Sequence, residues 1–357
     1  MAASFVTSSL HLGHIATAML PLCNNELTER CYHFGLTFIM KHPLNILFLG
    51  GAKRVSMARK LIAAGQRRGV SMNLFSYELH AEVPVAELAR VITGRKFNAP
   101  DILDHLHTIV ELYSIDVLIP FVDPAVGVAA RYVETYGNVV APVVSSTLAE
   151  TLFDKSSAAR AFEEASLPIP STYKSGRPRF PLIAKPRYGS ASRGIEVIET
   201  ITDFRRIIAR RDEFLIQDFI PDHDEFTVDC YVARGGEIMC ISPRRRLEVL
   251  GGEVVRTVTI DSPALVEASR MAIERLGLSG ALTLQYLSPR EEPDRLMLME
   301  INPRLGGGAV CTVHAGGDLP GYILDEALGL PMHPAPCIKP GTLICRYFQE
   351  VAFFNEQ

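Results

Sequence analysis

No run in the sequence approaches the roughly 18–20 apolar residues that a bilayer-spanning helix needs, so no membrane segment is expected. The seven cysteines, at 23, 31, 230, 240, 311, 337 and 345, include no Cys-x-x-Cys pair. None is assigned to a metal, and scattered thiols of this kind suit a reducing, cytoplasmic compartment where most are buried. Strong charge bias is missing too: a formal net charge of −4 supplies no overall basic field for nucleic acid or an anionic membrane. Small molecules are the expected partners. Internal repeats and low-complexity tracts are also missing. What is present is a 357-residue chain with 48% hydrophobic residues, enough for two or three packed domains.

Residues 1–39 lack lysine and carry scattered His and Cys. They show neither the basic start and apolar core of a signal peptide nor an Arg-rich amphipathic pattern. Met40 then leads straight into a strong strand. We expect Met40 to be the natural start and residues 1–40 to be an extension without a fold of its own; an N-terminal helix is the alternative.

The apolar run Leu44–Leu49 is followed by Gly50-Gly51, and residues 55–68 carry helical spacing at Val55, Ala58, Leu61 and Ile62. Strands are expected again at 72–77, 117–120 and 139–141, with helices near 101–113 and 124–136 between them. This alternation predicts a parallel sheet flanked by helices over residues 41–143. The turn GGAKRVS lacks the third glycine of a dinucleotide fingerprint. It reads as a tight strand-to-helix turn, with an anion held at the helix N-terminus as the alternative. From Ser145 the texture changes to α+β. A helix is expected over 147–165, broken by the Pro168 and Pro170 stretch, then a hairpin and a helix near 202–210. Strands follow at 214–218, 225–232, 237–242 and 253–260, then a helix over 263–276 and two strands at 280–288 and 295–302.

The hairpin stretch 180–198, FPLIAKPRYGSASRGIEVI, places Lys185 before a loop of Gly, Ser and Arg. Small residues let backbone N–H groups face a phosphate while Lys and Arg add charge. A P-loop has its lysine after the glycines and opens a helix; here the order is reversed and residues 195–198 read as a strand. Taken alone, the stretch is an ordinary hairpin whose Gly189 and Gly194 supply turn dihedrals.

The last two strands are joined by the polar turn 289–294. If its centre lies between Glu292 and Pro293, Gln285 sits opposite Glu300. Alternation then puts Gln285, Glu300 and Asn302 on one face and Leu284, Tyr286, Met299 and Ile301 on the other. One carboxylate and two amide oxygens on rigid strands suit Mg²⁺, which usually keeps waters or substrate phosphates in its remaining positions. Arg304 follows in NPRLGGG, placed to neutralise charge on a transferring phosphoryl group. A solvent-facing polar strand leaves the coincidence of all four unexplained.

Asp154-Lys155, Ala184-Lys185-Pro186 with its loop, residues 215–220 (LIQDFI), Glu225, Gln285 and residues 299–304 (MEINPR) are each loose motifs. In this order and spacing the chain resembles the ATP-grasp superfamily, and within it the carbamoyl-phosphate-synthase-like ligases, from about residue 44 to 330. The resemblance implies an α/β pre-ATP-grasp domain over 41–143. A two-lobed α+β ATP-grasp fold would follow over 144–335, its lid lobe about 152–215, with a C-terminal segment over 336–357. It implies that Lys155 and Lys185 contact ATP phosphates, and that the loop with Gly189, Ser190, Ser192 and Gly194 closes over them. The hinge Gln217, Asp218, Phe219 and Ile220 would read adenine through its backbone, and Glu225 would accept the ribose hydroxyls. Gln285, Glu300 and Asn302 would hold Mg²⁺, with Mn²⁺ able to substitute. Arg304 would lie near the γ-phosphate, with Lys185 as the other catalytic cation. Many relatives have a second carboxylate where Gln285 stands. Arg244 and Arg246, in SPRRR between two strands, would grip a substrate carboxylate, a solvated charge run being the equal alternative. His314 and Asp123 are expected to be structural, although both can face the cleft.

The implied activity is an ATP- and Mg-dependent ligase that turns a carboxylate substrate into an acyl phosphate and joins it to an amine. No protein nucleophile is needed for that chemistry. A carbamoyl-phosphate-type or other acyl-phosphate-forming activity, or a non-catalytic ATP-binding scaffold, is the alternative. A homodimer is compatible with the resemblance.

Overall fold

The strand Leu44–Leu49 (β1) is buried at every residue, as befits a central parallel strand covered on both faces. In this computed structural model, which describes residues 43–189, 193–335 and 337–354, β1 pairs in parallel with Met72–Glu78 (β2) and Val117–Pro120 (β4). Arg90–Thr93 (β3) adds beside β2, giving the order β3-β2-β1-β4. Val55–Arg67 (α1), Ile102–Tyr113 (α2) and Asp123–Tyr136 (α3) alternate with these strands. Strand β3 was not anticipated. The strand expected at 139–141 is instead a single bridge, Val117 to Val140; Pro142, lacking an N–H, cannot continue a ladder. The expected extension over residues 1–40 lies outside the described residues, as do Ser190 and Ser192.

The helix expected over 147–165 is two helices, Ser146–Phe153 (α4) and Lys155–Glu164 (α5). Asp154 separates them, with extended backbone, and caps α5 by accepting from the Ser156 N–H and the Ser157 hydroxyl, both at 3.0 Å. It also pairs with Arg187. Burial opposes the ionised carboxylate, but Arg187 and these donors outweigh it and hold the carboxyl down at about 2.

Leu182–Pro186 (β5) and Glu196–Ile198 (β6) form the expected hairpin, and Phe214–Asp218 (β7) completes a three-stranded sheet. Ile201–Ile208 (α6) packs Phe204 and Ile207 against its Leu182, Ala184 and Ile198.

The third sheet is antiparallel, in the order β12-β11-β8-β9-β10-β13. Its strands are His223–Val232 (β8), Ile238–Leu250 (β9), Glu253–Thr259 (β10), Gly280–Pro289 (β11), Met297–Asn302 (β12) and Leu343–Cys345 (β13). Val228, Cys230, Leu282 and Leu284 face Leu265, Ala272 and Ile273 of Pro263–Leu276 (α7) in the main core. The arginine run expected between strands lies inside β9, which is 13 residues long. Period-two alternation buries Arg244 and exposes Arg245. A parallel sheet followed by mostly antiparallel sheets with helices is the α/β then α+β order expected from the sequence.

Gly280 joins the first sheet to the third. Its φ of +76° belongs to the left-handed region, and a Cβ there would lie 2.3 Å from the Pro142 carbonyl carbon. The neighbouring Ala281 N–H donates to Pro142 O at 3.0 Å. Gly277, also at positive φ, has open space around it. Gly280→Ala is therefore expected to destabilise the chain by on the order of 3 kcal/mol, and Gly277→Ala by about 1 kcal/mol. Denaturant unfolding of the two variants side by side checks the difference.

Candidate active site

A cleft of about 540 Å³ opens among the three sheets. Lys155, Lys185, Gly189, Asp218, Phe219, Ile220, Glu225, Arg244, Arg246, Gln285, Glu300, Asn302 and Arg304 all line it. Gln217 lies just behind its wall, and Gly194 packs in the hairpin with its Cα side against Pro186. Ser190 and Ser192 lie outside the described residues.

The hairpin register places Gln285 opposite Glu300, as alternation predicts. A bulge between Gln285 and Tyr286 then shifts the ladder so that Tyr286 faces Leu298. Leu284, Tyr286 and Ile301 enter the core, but Met299, expected beside them, lines the cleft instead. An extra residue in one strand re-aims the side chains that follow it.

Glu300 is held among cations. Burial pushes its carboxyl up, against the pull of Lys155, Arg304 and Lys185, while Asp123 adds to the rise. Lys185 is pushed down by burial, with Glu300 opposing and Lys155 reinforcing the shift. Its ammonium donates to Gln217 Oε1 at 3.1 Å, and the buried Gln217 amide donates in turn to Pro170 O at 3.1 Å. The Gln217 side chain therefore positions Lys185. Lys155, first residue of α5, donates to Gly189 O at 2.7 Å and ties the hairpin loop to the helix. Arg304 Nε donates to Asp123 Oδ1 at 2.6 Å, and its Nη2 to Asn302 Oδ1 at 3.3 Å.

Arg246 bridges two expected sites. It lies 3.2 Å from Glu225 Oε2 and donates to Gln285 Oε1 at 3.2 Å. Burial pushes its guanidinium down although Glu225 pulls the other way, and its buried Nε has no partner among the described residues. Ile183, Leu215 and Phe219, in or beside the second sheet, and Leu287 and Met299 of the third give the cleft an apolar lining. At the hinge beside it, the Asp218 and Phe219 N–H groups donate to Ser171 O and Pro181 O, so these two are not available to a ligand.

The donor set suits a cation shared with phosphates. Among the described residues no three His, Cys, Asp or Glu side chains gather as a metal site. Glu300 is the one carboxylate of the expected triad, and the Gln285 and Asn302 oxygens already accept from arginines. Such a set would bind Mg²⁺ weakly alone and well beside phosphate oxygens.

Asp123, expected to be structural, lines the cleft and orients Arg304. Its position after β4, at the carboxyl end of a parallel sheet where ligands collect, was the available signal. His314 does not line the cleft; it contacts Lys60 at 3.5 Å. Arg54, Glu253 and Arg346 also line the cleft and were not anticipated. At the Gly50-Gly51 turn the nearest anion is the chain's own Glu78. Its buried carboxylate accepts from the Gly51 and Ala52 N–H groups and from the Ser76 hydroxyl at 2.6 Å, so the chain itself occupies two amides of that turn.

No curated protein sequence matches the chain. Residues 210–348 match a family model described as an ATP-grasp in the biosynthetic pathway with Ter operon. In fold the chain is similar to N5-carboxyaminoimidazole ribonucleotide synthetase from Thermus thermophilus, with TM-score 0.63 at 19% identity, covering 84% of this chain and 81% of that one. Biotin carboxylase from Campylobacter jejuni gives 0.66 at 16% over 84% and 74%. L-amino acid ligase from Bacillus licheniformis gives 0.63 at 15% over 83% and 77%. The ATP-grasp family match thus falls on the third sheet and its cleft residues, and the chain as a whole shares the fold of these solved structures.

Proposed function

We propose that the chain is an ATP- and Mg²⁺-dependent ligase that activates a carboxylate as an acyl phosphate and joins it to an amine. The observation carrying this reading is that Lys155, Lys185 and Arg304, from three separate parts of the chain, act on Glu300 in a cleft that Gly189 of the hairpin also lines. Phosphates are the chemistry such a surplus of cations accommodates. In support, the Campylobacter jejuni biotin carboxylase is described in complex with an ATP analogue, and the Bacillus licheniformis protein as an L-amino acid ligase. The lid lobe at about 152–215 would close on the remainder of the ATP-grasp region, 144–335, with residues 41–143 as the preceding domain.

The roles follow from charge and position. Lys155 and Lys185 would bind the phosphates, and Gly189 with its loop would cover them. The apolar lining would take adenine, whose edge the hinge would read through groups other than the Asp218 and Phe219 N–H, beginning at Ile220. Glu225, steadied by Arg246, would accept the ribose hydroxyls. Glu300, Asn302 and Gln285 would hold Mg²⁺ or Mn²⁺, which would screen charge between phosphates when bound. A carboxylate oxygen then attacks the γ-phosphorus, and the bond to the bridging oxygen breaks, releasing ADP. Arg304, aimed by Asp123, meets the charge that develops on the transferred group. The amine nitrogen next attacks the acyl carbon, phosphate leaves with the electron pair of the C–O bond, and the nitrogen gives up one proton to the departing phosphate or solvent. Small-molecule acid and amine are the proposed partners, the cytoplasm the proposed location, and a homodimer the proposed assembly. Among the described residues no helix is long and apolar enough to cross a membrane.

MgATP at a hundredfold excess over its dissociation constant is expected to add about 2.7 kcal/mol of stability, read as a rise in melting temperature, while NADH leaves it unmoved. No response to MgATP would count against the assignment.

Arg304→Ala is expected to lose on the order of a hundredfold or more in turnover while nucleotide binding remains measurable. Phosphate release in the presence of an accepted acid and amine gives the first quantity, and titration calorimetry the second. Turnover like that of the unaltered chain would return Arg304 to a structural role.

Glu300 yields a pH signature. A carboxyl raised in the folded state favours the fold while protonated and loses that contribution as pH rises through its folded pKa. Glu300→Gln removes the buried charge. Without ligand the variant is therefore expected to melt higher than the unaltered chain at pH 8 and to approach it at pH 4, while its response to MgATP is weaker. Melting curves across pH, with and without MgATP, check both.

A further inference from the structure

Three guanidinium groups from distant parts of the chain crowd against one glycine segment, residues 306–308. A Cβ on Gly307 would stand 2.7 Å from Arg54 Nη1 and 3.4 and 3.7 Å from the terminal nitrogens of Arg346. One on Gly308 would stand 2.8 Å from Arg244 Nη1. The missing side chains thus leave the space in which the arginines meet. Arg54 precedes α1, Arg244 lies in β9, and Arg346 follows β13, yet all three line the cleft.

Their anionic partners do not balance them. Asp229, fully buried, takes the Nε and Nη2 of Arg244 at 2.8 and 3.2 Å, which leaves the buried Nη1 without a partner among the described residues. Arg346 lies 3.1 Å from Glu253 and donates to Val254 O at 2.8 Å. Among the described residues the Arg54 side chain has only the Phe121 carbonyl at 3.5 Å and the Phe121 ring at 5.9 Å. Burial and the adjacent Arg304 push its guanidinium down to about 10, Glu253 opposing and Arg346 adding to the shift. A buried cation whose nearby carboxylates, Glu253 and Asp123, are already paired with Arg346 and Arg304, beside a buried N–H without an acceptor among the described residues, destabilises the unliganded chain. A ligand that brings an anion relieves both at once.

We propose that Arg54, Arg244 and Arg346 form a pocket for an anionic group of the acid substrate, distinct from the carboxylate that is phosphorylated. The second half of this statement rests on the ligase reading above. A carboxylate offers about four lone-pair sites; one that accepts charge-assisted hydrogen bonds from three guanidinium groups has its electron density drawn away from phosphorus, and an ungripped carboxylate is the better nucleophile. Attack must also occur beside Arg304 and Glu300, where the phosphoryl group would lie. The substrate class is therefore a carboxylic acid bearing a second anion, either a carboxylate or a phosphate monoester.

The test is a melting-temperature titration of the full chain without nucleotide, at constant ionic strength, with succinate, 3-phosphoglycerate and butyrate. Succinate or 3-phosphoglycerate is expected to stabilise the chain and butyrate not; whichever acts identifies the second anion. Arg54→Met is expected to raise the half-saturating concentration of that dianion about tenfold, the loss of a charge-assisted contact, and Arg54→Lys to raise it less. A MgATP response in both variants serves as the folding control, and if Arg54→Met does not fold, Arg346→Met carries the same comparison. Equal responses to all three acids, or a dianion response unchanged in Arg54→Met, would overturn the pocket. A dianion response without any MgATP response in the unaltered chain would instead overturn the ligase reading and leave the pocket standing.

Discussion

The buried carboxylate of Glu300 and the cations around it form the constraint on which the cleft depends. Each cation is aimed by a second group: Lys185 by Gln217 of the same sheet, Lys155 by the start of a helix that Asp154 caps, and Arg304 by Asp123 from a different sheet. The parallel sheet supplies Asp123, the small sheet Lys185, and the large sheet Glu300. No single sheet contains the site. Docking them brings like charges together, and burial raises the cost of each.

That cost is concentrated where bonding is incomplete. Among the described residues three buried side-chain atoms have no partner, and two of them, Arg244 Nη1 and Arg246 Nε, belong to residues that line the cleft, the third being Thr172 Oγ1. Elsewhere in the large sheet the polar groups are well satisfied: Asp229, fully buried, accepts from Arg244 and from the Thr312 hydroxyl, which also lies 2.9 Å from Ser242 Oγ. Unmet donors that cluster facing a cleft while the core behind them is satisfied are the pattern expected of a site whose ligand completes the bonding. Preorganised donors of this kind need little rearrangement when charge arrives.

Much of this was legible in the residues alone wherever the determining contact is local. The Gln285–Glu300 register followed from a short hairpin and period-two alternation, because a turn of known length fixes its flanking pairs. The order of parallel strands and helices followed from periodicity. Where a local exception intervened the reading slipped: the bulge after Gln285 turned Met299 into the cleft, Asp154 split a helix that looked continuous, and a run of arginines concealed the alternation of β9. Asp154 does carry a local signal in hindsight, since Asp at a helix start is a common cap.

By itself the sequence determined most of the kinds of element, the Gln285–Glu300 pairing, and many of the charged and amide residues that line the cleft. Only the tertiary structure decided which of them meet. Arg304 finds Asp123 at a separation of 181 residues, and Arg54 and Arg346 meet across most of the chain at a single glycine. Contacts of that kind depend on how three sheets dock, and neither the spacing nor the character of neighbouring residues records docking. For the same reason a lone arginine in a strand-to-helix turn and another near the end of the chain look like ordinary surface charge until the fold buries them together.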